Sequence, residues 1–318
     1  MPGRVYRRSF AKQAAAVLGG AVVAPVLGSP WIARAKSKTK VYGVESGARG
    51  VTIRLGLAHG PFPAAGAPYE DDTCLVFVPH YFRASPDGRI DTLVHFHGHD
   101  AIVGSVVASM KIREQLALSR QNVILIAPQG PVNASDSRGG KLEDEGGFEA
   151  MLGEVRRALQ RSEVVRALGA AAIPGGSRIG ATAISAHSGG YRVAGACLEC
   201  GGFDVTEVYL FDALYAARDR YLTWVLARRS ENAARARHKL VSVYRRGRVG
   251  KQCDALMQEF EAEGVDYLQA TGEAAVSDKE ATRARVVFVE SQVRHRDVMH
   301  QKDMLRRCLE WSCFRRQG

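Results

Sequence analysis

The sequence lacks the features of several non-globular classes. It contains no internal repeat of fixed period, which excludes solenoids and propellers, and its composition has neither a collagen-like nor a disordered bias. Hydrophobic residues make up 46% of the 318 positions, which is enough to bury a sizeable core. We therefore expect a globular protein.

Nucleic-acid motifs are also absent, although the net charge is +11. Outside the N-terminus the excess of basic residues lies along residues 228–248 and at Arg315-Arg316, without the regular interleaving of aromatic residues that nucleic-acid binding favours. These residues indicate a solvated basic surface and no nucleic-acid partner.

Cysteine is scarce, and its spacing defines no metal site. Of the six cysteines, Cys197 and Cys200 form a single C-x-x-C, without the second pair of a zinc knuckle. We expect these two to be small buried residues in a helix. The six cysteines could form disulfides in an exported protein, but the sequence does not define the pairing.

The first 35 positions contain no acidic residue. Basic residues within Tyr6–Lys12 precede an apolar run, Ala14–Gly28, and an A-x-A site at Ala33–Ala35. This order predicts a cleaved export signal, with an uncleaved anchor over Gln13–Ala33 as the alternative. Removing residues 1–35 would lower the net charge by five, to about +6, and leave one domain, residues 36–318.

Within that signal, Arg7-Arg8 followed by Ser9, Phe10 and Lys12 resembles the twin-arginine signal. The resemblance implies export of the folded protein by the twin-arginine translocation machinery, to the periplasm or beyond. No stable membrane span would remain after cleavage.

From about residue 40, short apolar runs alternate with longer amphipathic stretches, and this alternation predicts an α/β protein with a mostly parallel sheet and helices on both faces. The first two strands and the third are too closely joined for a crossover helix, which predicts an antiparallel edge. No long insertion follows the sixth strand, so we expect no large cap domain. The eight predicted strands are Val51–Leu57, Cys74–Val78, Thr92–Phe96, Val123–Ala127, Ala181–Ala186, Glu207–Phe211, Lys239–Tyr244 and Arg285–Glu290. The predicted helices are Ala101–Leu118, Phe148–Leu168, Tyr191–Cys200, Leu214–Arg237 and Gln252–Glu263.

Functional groups in such sheets gather at the carboxyl ends of the strands. Ser188 follows the fifth strand in a small-x-Ser-x-Gly pattern, with Ala186 and Gly190 two residues away on either side. A sharp strand-to-helix turn needs small residues there, because larger side chains would collide inside the turn. Ser188 is therefore a candidate nucleophile.

Asp212 follows the sixth strand, where a carboxylate could orient a histidine. The alternative is that Asp212 caps the next helix. The seventh strand ends in Tyr244–Gly247, which offers no acid, so Asp212 is the better candidate.

His295 lies in the loop after the eighth strand, and His300 lies at the expected start of the last helix. A general base must reach Ser188 from a loop, so His295 is favoured and His300 is second.

The order Ser…Asp…His and the segments LVHFHG, VILIAPQG, AHSGGY, VYLFDAL and RHRDV resemble the α/β-hydrolase superfamily of the esterase and lipase type. The resemblance implies an eight-stranded sheet and an oxyanion hole made by the backbone N–H groups of His99 and Gly189. In this reading His97 braces the turn at Gly98.

The expected activity is that of a serine hydrolase that needs no cofactor or metal and cleaves an ester, with an amide as a second substrate class. His187 would be a packing residue beside the nucleophile. The polar loop Asn133–Gly147 would either line the entrance or be a plain solvated loop.

Two alternatives remain open. His95, His97 and His99 in HFHGHD could bind zinc, although the metallo-β-lactamase pattern H-x-H-x-D-H has its last two letters inverted here. A non-catalytic binding protein with the same fold is the other alternative.

Overall fold

A computed structural model describes residues 5–8, 38–63, 66–229 and 237–318. All eight predicted strands occur, within a sheet that has eleven strands in the described residues and not eight. In chain order the strands are β1 Val5–Arg8, β2 Lys40–Gly47, β3 Gly50–Gly56, β4 Thr73–Pro79, β5 Arg89–Phe96, β6 Val123–Pro128, β7 Arg178–His187, β8 Glu207–Phe211, β9 Lys239–Tyr244, β10 Tyr267–Thr271 and β11 Val286–Glu290.

The strand order is β1-β10-β11-β9-β8-β7-β5-β6-β4-β3-β2. The strands from β10 to β6 are parallel, whereas β4, β3 and β2 form an antiparallel edge, as predicted. The parallel strands read as near-continuous apolar runs because both of their faces are covered; β6, β8, β9 and β11 are buried at every residue. This is the α/β-hydrolase architecture.

Three strands were not predicted, for reasons visible in their residues. β2 (KVYGVESG) is polar and largely exposed, and β10 (YLQAT) is short and mixed. β1 falls inside the predicted export signal, and its backbone pairs antiparallel with β10. The rest of that signal, residues 1–4 and 9–37, lies outside the described residues.

Helices cover both faces of the sheet. One apolar core joins the sheet to α3, α5, α6 and α7, and a second core on the opposite face joins it to α1, α2, α8 and α9. The helices are α1 Val103–Ser109, α2 Ile112–Ser119, α3 Gly147–Leu159, α4 Ser162–Leu168, α5 Tyr191–Cys200, α6 Arg218–Leu226, α7 Arg248–Ala262, α8 Asp278–Arg283 and α9 Met304–Trp311.

Two of the predicted helices are each two helices. A left-handed Lys111 (φ 52°) separates α1 from α2, and a turn at Gln160-Arg161 separates α3 from α4. The prediction Leu214–Arg237 was too long, since α6 ends at Leu226 and residues 230–236 are not described. The last helix begins at Met304, so the prediction that His300 starts it was wrong.

The chain reverses its direction across the sheet between β5 and its two parallel neighbours. From β5 it continues to β6 on one side, and it then returns to place β7 on the other side. Loops that leave the carboxyl ends of β5 and β7 therefore diverge and open a crevice, which is the usual position of a ligand site in such sheets.

All six cysteines lie in the described part of the chain, and all are free thiols. Cys197 is buried and Cys200 partly buried in α5, which agrees with their interpretation as helix residues. None of the helices in the described ranges has the length and apolarity that a membrane crossing needs.

Candidate active site

The turn after β7 holds Ser188 in a strained conformation. Its φ is 52°, in the left-handed region that β-carbon-bearing residues rarely adopt, and a single 3₁₀ turn leads from it into α5. A Cβ on Gly190 would lie 2.5 Å from the Phe96 carbonyl oxygen, and Ala186 is fully buried beside β5. The two small positions are therefore required by close packing against β5.

Asp212 and His295 form a hydrogen-bonded pair. The Asp212 carboxylate accepts a hydrogen bond from Nδ1 of His295 at 2.7 Å, and its other oxygen accepts from the backbone N–H of Arg245 at 3.1 Å. Asp212 is 4% exposed. The residue that precedes α6 is Ala217, so the alternative that Asp212 caps that helix was wrong.

The loop that carries His295 is also held by His187. Nε2–H of His187 donates to the backbone carbonyl of His295 at 2.9 Å, and the two ring centroids are 4.7 Å apart. Burial lowers the pKa of His187 to about 4, so this ring stays neutral at ordinary pH. The sequence predicted His187 to be a packing residue and did not predict this hydrogen bond, because residues 187 and 295 are far apart in the chain.

Tyr215 lies beside the histidine. Its ring meets His295 edge-on at a centroid distance of 6.4 Å. Burial, followed by the nearby Asp212 charge, raises the pKa of Tyr215, and the nearby Ser188 side chain acts in the opposite direction. The sequence motif LFDALY contains Tyr215, but nothing in its pattern distinguishes this tyrosine from a packing residue.

Ser188 and His295 therefore share Tyr215 as a neighbour, while no hydrogen bond joins them directly within the described residues. Catalytic hydrogen bonds are commonly long before substrate binds and shorten in the complex. His300, the second choice for the base, contacts a different carboxylate: its Nε2 is 3.8 Å from Asp297, and its backbone N–H donates to the Asp297 carbonyl.

The turn after β5 runs directly against the nucleophile. A Cβ on Gly98 would lie 2.7 Å from Cβ of Ser188, so only glycine lets the two turns approach this closely. His97 holds this turn, since its Nδ1–H donates to the Gly98 carbonyl at 2.7 Å and its Nε2 accepts from the Gly130 N–H at 2.8 Å. Burial lowers the pKa of His97, which keeps the ring in this neutral form.

Gln129 completes the support behind this turn. Its amide nitrogen lies 2.9 Å from Nε2 of His97, and its amide oxygen accepts from the backbone N–H of Val103 at 2.8 Å. Gln129 is fully buried. It belongs to the segment VILIAPQG, so a polar residue directly after an apolar strand was the signal that could have identified it.

His99 contributes a side chain as well as a backbone N–H. Its imidazole covers Gly189, where a Cβ would lie 2.4 Å from the ring, and its Nε2 is 2.7 Å from the Ser137 hydroxyl. The loop Asn133–Gly147 thus reaches the site. A narrow cleft of about 20 Å³ lies between this loop and the turn after β7, so the loop contacts the candidate site. The lining residues include Phe96, His97, Ser137, Arg138, Gly189 and Gly190.

The three histidines of HFHGHD have separate contacts. His95 is buried with its Nδ1 3.0 Å from the Ser185 hydroxyl, His97 bonds to Gly98 and Gly130, and His99 bonds to Ser137. Across the described ranges, no group of three or more His, Cys, Asp or Glu residues is arranged to hold a metal ion.

No family model matches the sequence, and no curated protein matches it. Similar solved structures include the feruloyl esterase module from Clostridium thermocellum complexed with sinapinate (8% identity, 88% of this chain and 96% of that chain covered, TM-score 0.48). They also include the fluorophosphonate-binding serine hydrolase FphF from Staphylococcus aureus (12% identity, 83% of this chain and 98% of that chain covered, TM-score 0.46). The S-formylglutathione hydrolase FrmB from the same organism is a third (11% identity, 82% of this chain and 95% of that chain covered, TM-score 0.43). These similarities say nothing about the activity of this chain. Its fold is assigned from the order of its strands.

Proposed function

We propose that this protein is a serine hydrolase that cleaves a carboxylic ester through an acyl-enzyme, with Ser188, His295 and Asp212 as its triad. The observation that carries the proposal is the 2.7 Å bond between His295 and Asp212 at the strand ends beside Ser188, whose φ is 52°. A charged carboxylate on Nδ1 fixes the histidine tautomer and leaves Nε2 to accept a proton.

In the first half-reaction Ser188 Oγ bonds to the ester carbonyl carbon as its proton moves to His295. The carbonyl oxygen becomes negative, and we assign its stabilisation to the backbone N–H groups of His99 and Gly189. The tetrahedral intermediate then loses the alcohol, which takes its proton back from His295. Water attacks the acyl-serine by the same route, with His295 again removing and returning a proton, and the acid is released.

The supporting residues explain how this geometry is held. His97 and Gln129 fix the Gly98 turn from behind, and His187 fixes the His295 loop. Asp212 is buried whereas the His295 side chain is 35% exposed, so the base faces the open side of the site. Between β8 and β9 the described residues contain α6 and no larger helical insertion, which is consistent with an accessible site.

The test compares Ser188→Ala with His99→Ala. We expect Ser188→Ala to lose at least roughly a thousandfold in kcat on 4-nitrophenyl esters, and to lose labelling by a fluorophosphonate probe. His99→Ala keeps its backbone N–H and should retain most activity. Comparable losses in both variants, together with inactivation by EDTA, would instead support a zinc site, and a folded protein that neither reacts with the probe nor hydrolyses any ester would support a binding protein. A panel of chain-length-graded esters and amides defines the bond cleaved.

We also propose that the protein is exported through the twin-arginine machinery, on the evidence of Arg7-Arg8 and the apolar run after them. Arg7→Lys with Arg8→Lys should leave the precursor in the cytoplasm of a bacterial host. Fractionation and N-terminal sequencing of the exported form measure this; export of the double variant at the normal level would contradict it.

A further inference from the structure

Two arginines without an assigned role lie near Asp212 and Tyr215. Arg245 follows β9, and Arg248 begins α7; both side chains are exposed. The Arg248 guanidinium carbon lies 5.8 Å from the centroid of the Tyr215 ring. Both arginines act to lower the pKa of Tyr215, against the larger effects of burial and Asp212.

Tyr215 connects these charges to the candidate base. Its ring meets the edge of His295 at a centroid distance of 6.4 Å. The backbone N–H of Arg245 itself binds Asp212, the partner of His295. Positive charge therefore lies about one side chain away from the base that would return a proton to the leaving group.

The neighbouring arginines are neutralised, and these two are not. Arg246 pairs with Glu290 at 2.5 Å and Arg294 pairs with Asp297 at 2.8 Å. Arg218 pairs with Glu259 at 2.8 Å. Within the described part of the chain, no carboxylate oxygen lies within 4.0 Å of the Arg245 or Arg248 guanidinium. Two unpaired guanidinium groups at an open site are suited to bind a carboxylate or a similar oxyanion.

We infer that the ester substrate carries an anionic group, a carboxylate or similar oxyanion, which Arg245 and Arg248 bind; the inference rests on the proposed serine hydrolase function. Both arginines are connected to His295, Arg245 through Asp212 and Arg248 through Tyr215, and His295 returns the proton to the leaving alcohol. The anionic group therefore belongs to the alcohol portion of the ester.

The test uses two acetyl esters that differ in charge on the alcohol side, 4-acetoxybenzoate and methyl 4-acetoxybenzoate. For each ester, kcat/KM of the full chain is divided by the rate constant for hydrolysis by hydroxide, which removes intrinsic reactivity. We expect the wild type to prefer the anion by about fivefold or more at low salt, as for a partly exposed charge pair, and the preference to shrink in added salt. The double variant Arg245→Gln/Arg248→Gln should lose the preference.

Arg246→Gln is the matched control, because Arg246 lies between the two arginines in sequence but is already paired with Glu290. It should keep both the preference and the activity. Circular dichroism and a melting curve confirm that each variant is folded. A second pair of esters, 4-nitrophenyl glutarate and its methyl ester, carries the charge on the acid side.

The outcomes separate this inference from the function on which it rests. An arginine-dependent preference for the anion in the first pair supports the inference as stated, and one confined to the second pair overturns the assignment to the alcohol portion. No preference in either pair, with hydrolysis that depends on Ser188, overturns the inference and leaves the serine hydrolase intact. No hydrolysis and no fluorophosphonate labelling overturn both.

Discussion

At the scale of single residues, two members of the proposed triad have strained backbones. Ser188 and Asp212 both have left-handed backbones, with φ of 52° and 45°. Such conformations cost about 1–3 kcal/mol each and persist where neighbouring contacts impose them. For Asp212 the contacts are an N–H bond to the Val243 carbonyl at 2.7 Å and the bond from Arg245. For Ser188 the close approach of Gly98 has the same effect.

His187→Phe tests whether His187 positions the base. Phenylalanine keeps a ring against His295 but removes the N–H that donates to the His295 carbonyl. We expect kcat to fall roughly ten- to a hundredfold with little change in KM, because a small displacement of the base weakens proton transfer more than substrate binding. Steady-state kinetics on a 4-nitrophenyl ester measure both constants.

His80→Phe is the control, since His80 also bonds to a backbone carbonyl, that of Gly47 at 2.8 Å. Its kcat should equal that of the wild type. An unchanged kcat in His187→Phe would show that the bond to residue 295 does not position the base.

The sequence sufficed to select candidates from their place in the chain. Ser188, Asp212 and His295 were selected because each follows an apolar strand in a parallel sheet, and the structure joins His295 to Asp212 by a hydrogen bond. Tyr215 and Gln129 were not, because their importance depends on contacts between distant segments. His300 could be ranked second on position alone, and its contact with Asp297 needed coordinates.

At the scale of elements, the β5 and β7 turns are packed so closely that two glycines are irreplaceable. Gly190→Ala would place a Cβ 2.5 Å from the Phe96 carbonyl oxygen, whereas Gly104 in α1 has no atom within 4 Å of such a Cβ. We expect Gly190→Ala to lower the free energy of unfolding by about 1–3 kcal/mol or more and to reduce kcat. Gly104→Ala should be neutral or stabilising by up to about 1 kcal/mol.

Urea unfolding of the two variants measures the difference. Equal stability of the two variants would mean that the turns after β5 and β7 can separate without cost in free energy. The claim that these turns are closely packed would then be wrong.

Elements were predictable where their burial was uniform. Strands covered on both faces read as continuous apolar runs and were found. β2 is exposed and polar, and β10 is short, so neither gives that signal. Helix ends depended on single backbone conformations, such as the left-handed Lys111 that separates α1 from α2, and amphipathic periodicity continues through such a break.

At the scale of the whole molecule, buried histidines couple stability to pH. Burial lowers the pKa of His95 to about 3 and that of His187 to about 4, and it also lowers that of His97. In the unfolded chain each takes up a proton near pH 6.5, so between these values the unfolded state binds more protons. Stability is therefore complete above about pH 6.5 and falls as the pH decreases.

We expect the free energy of unfolding to fall by roughly 1–3 kcal/mol between pH 7.5 and 5.5, measured by urea titration at each pH. His187→Phe should fall less steeply and His80→Phe as steeply as the wild type. A pH-independent free energy over this range would mean that the three rings take up protons in the folded state as readily as in the unfolded chain.

The free state of all six cysteines has a consequence for maturation. Because no disulfide is part of the fold, the chain needs neither an oxidase nor an isomerase to reach its final structure. Burial raises the pKa of each thiol, so the reactive thiolate forms are scarce at neutral pH. Synthesis in a reducing compartment can therefore yield the folded domain, and later transfer into an oxidising one would require no disulfide formation.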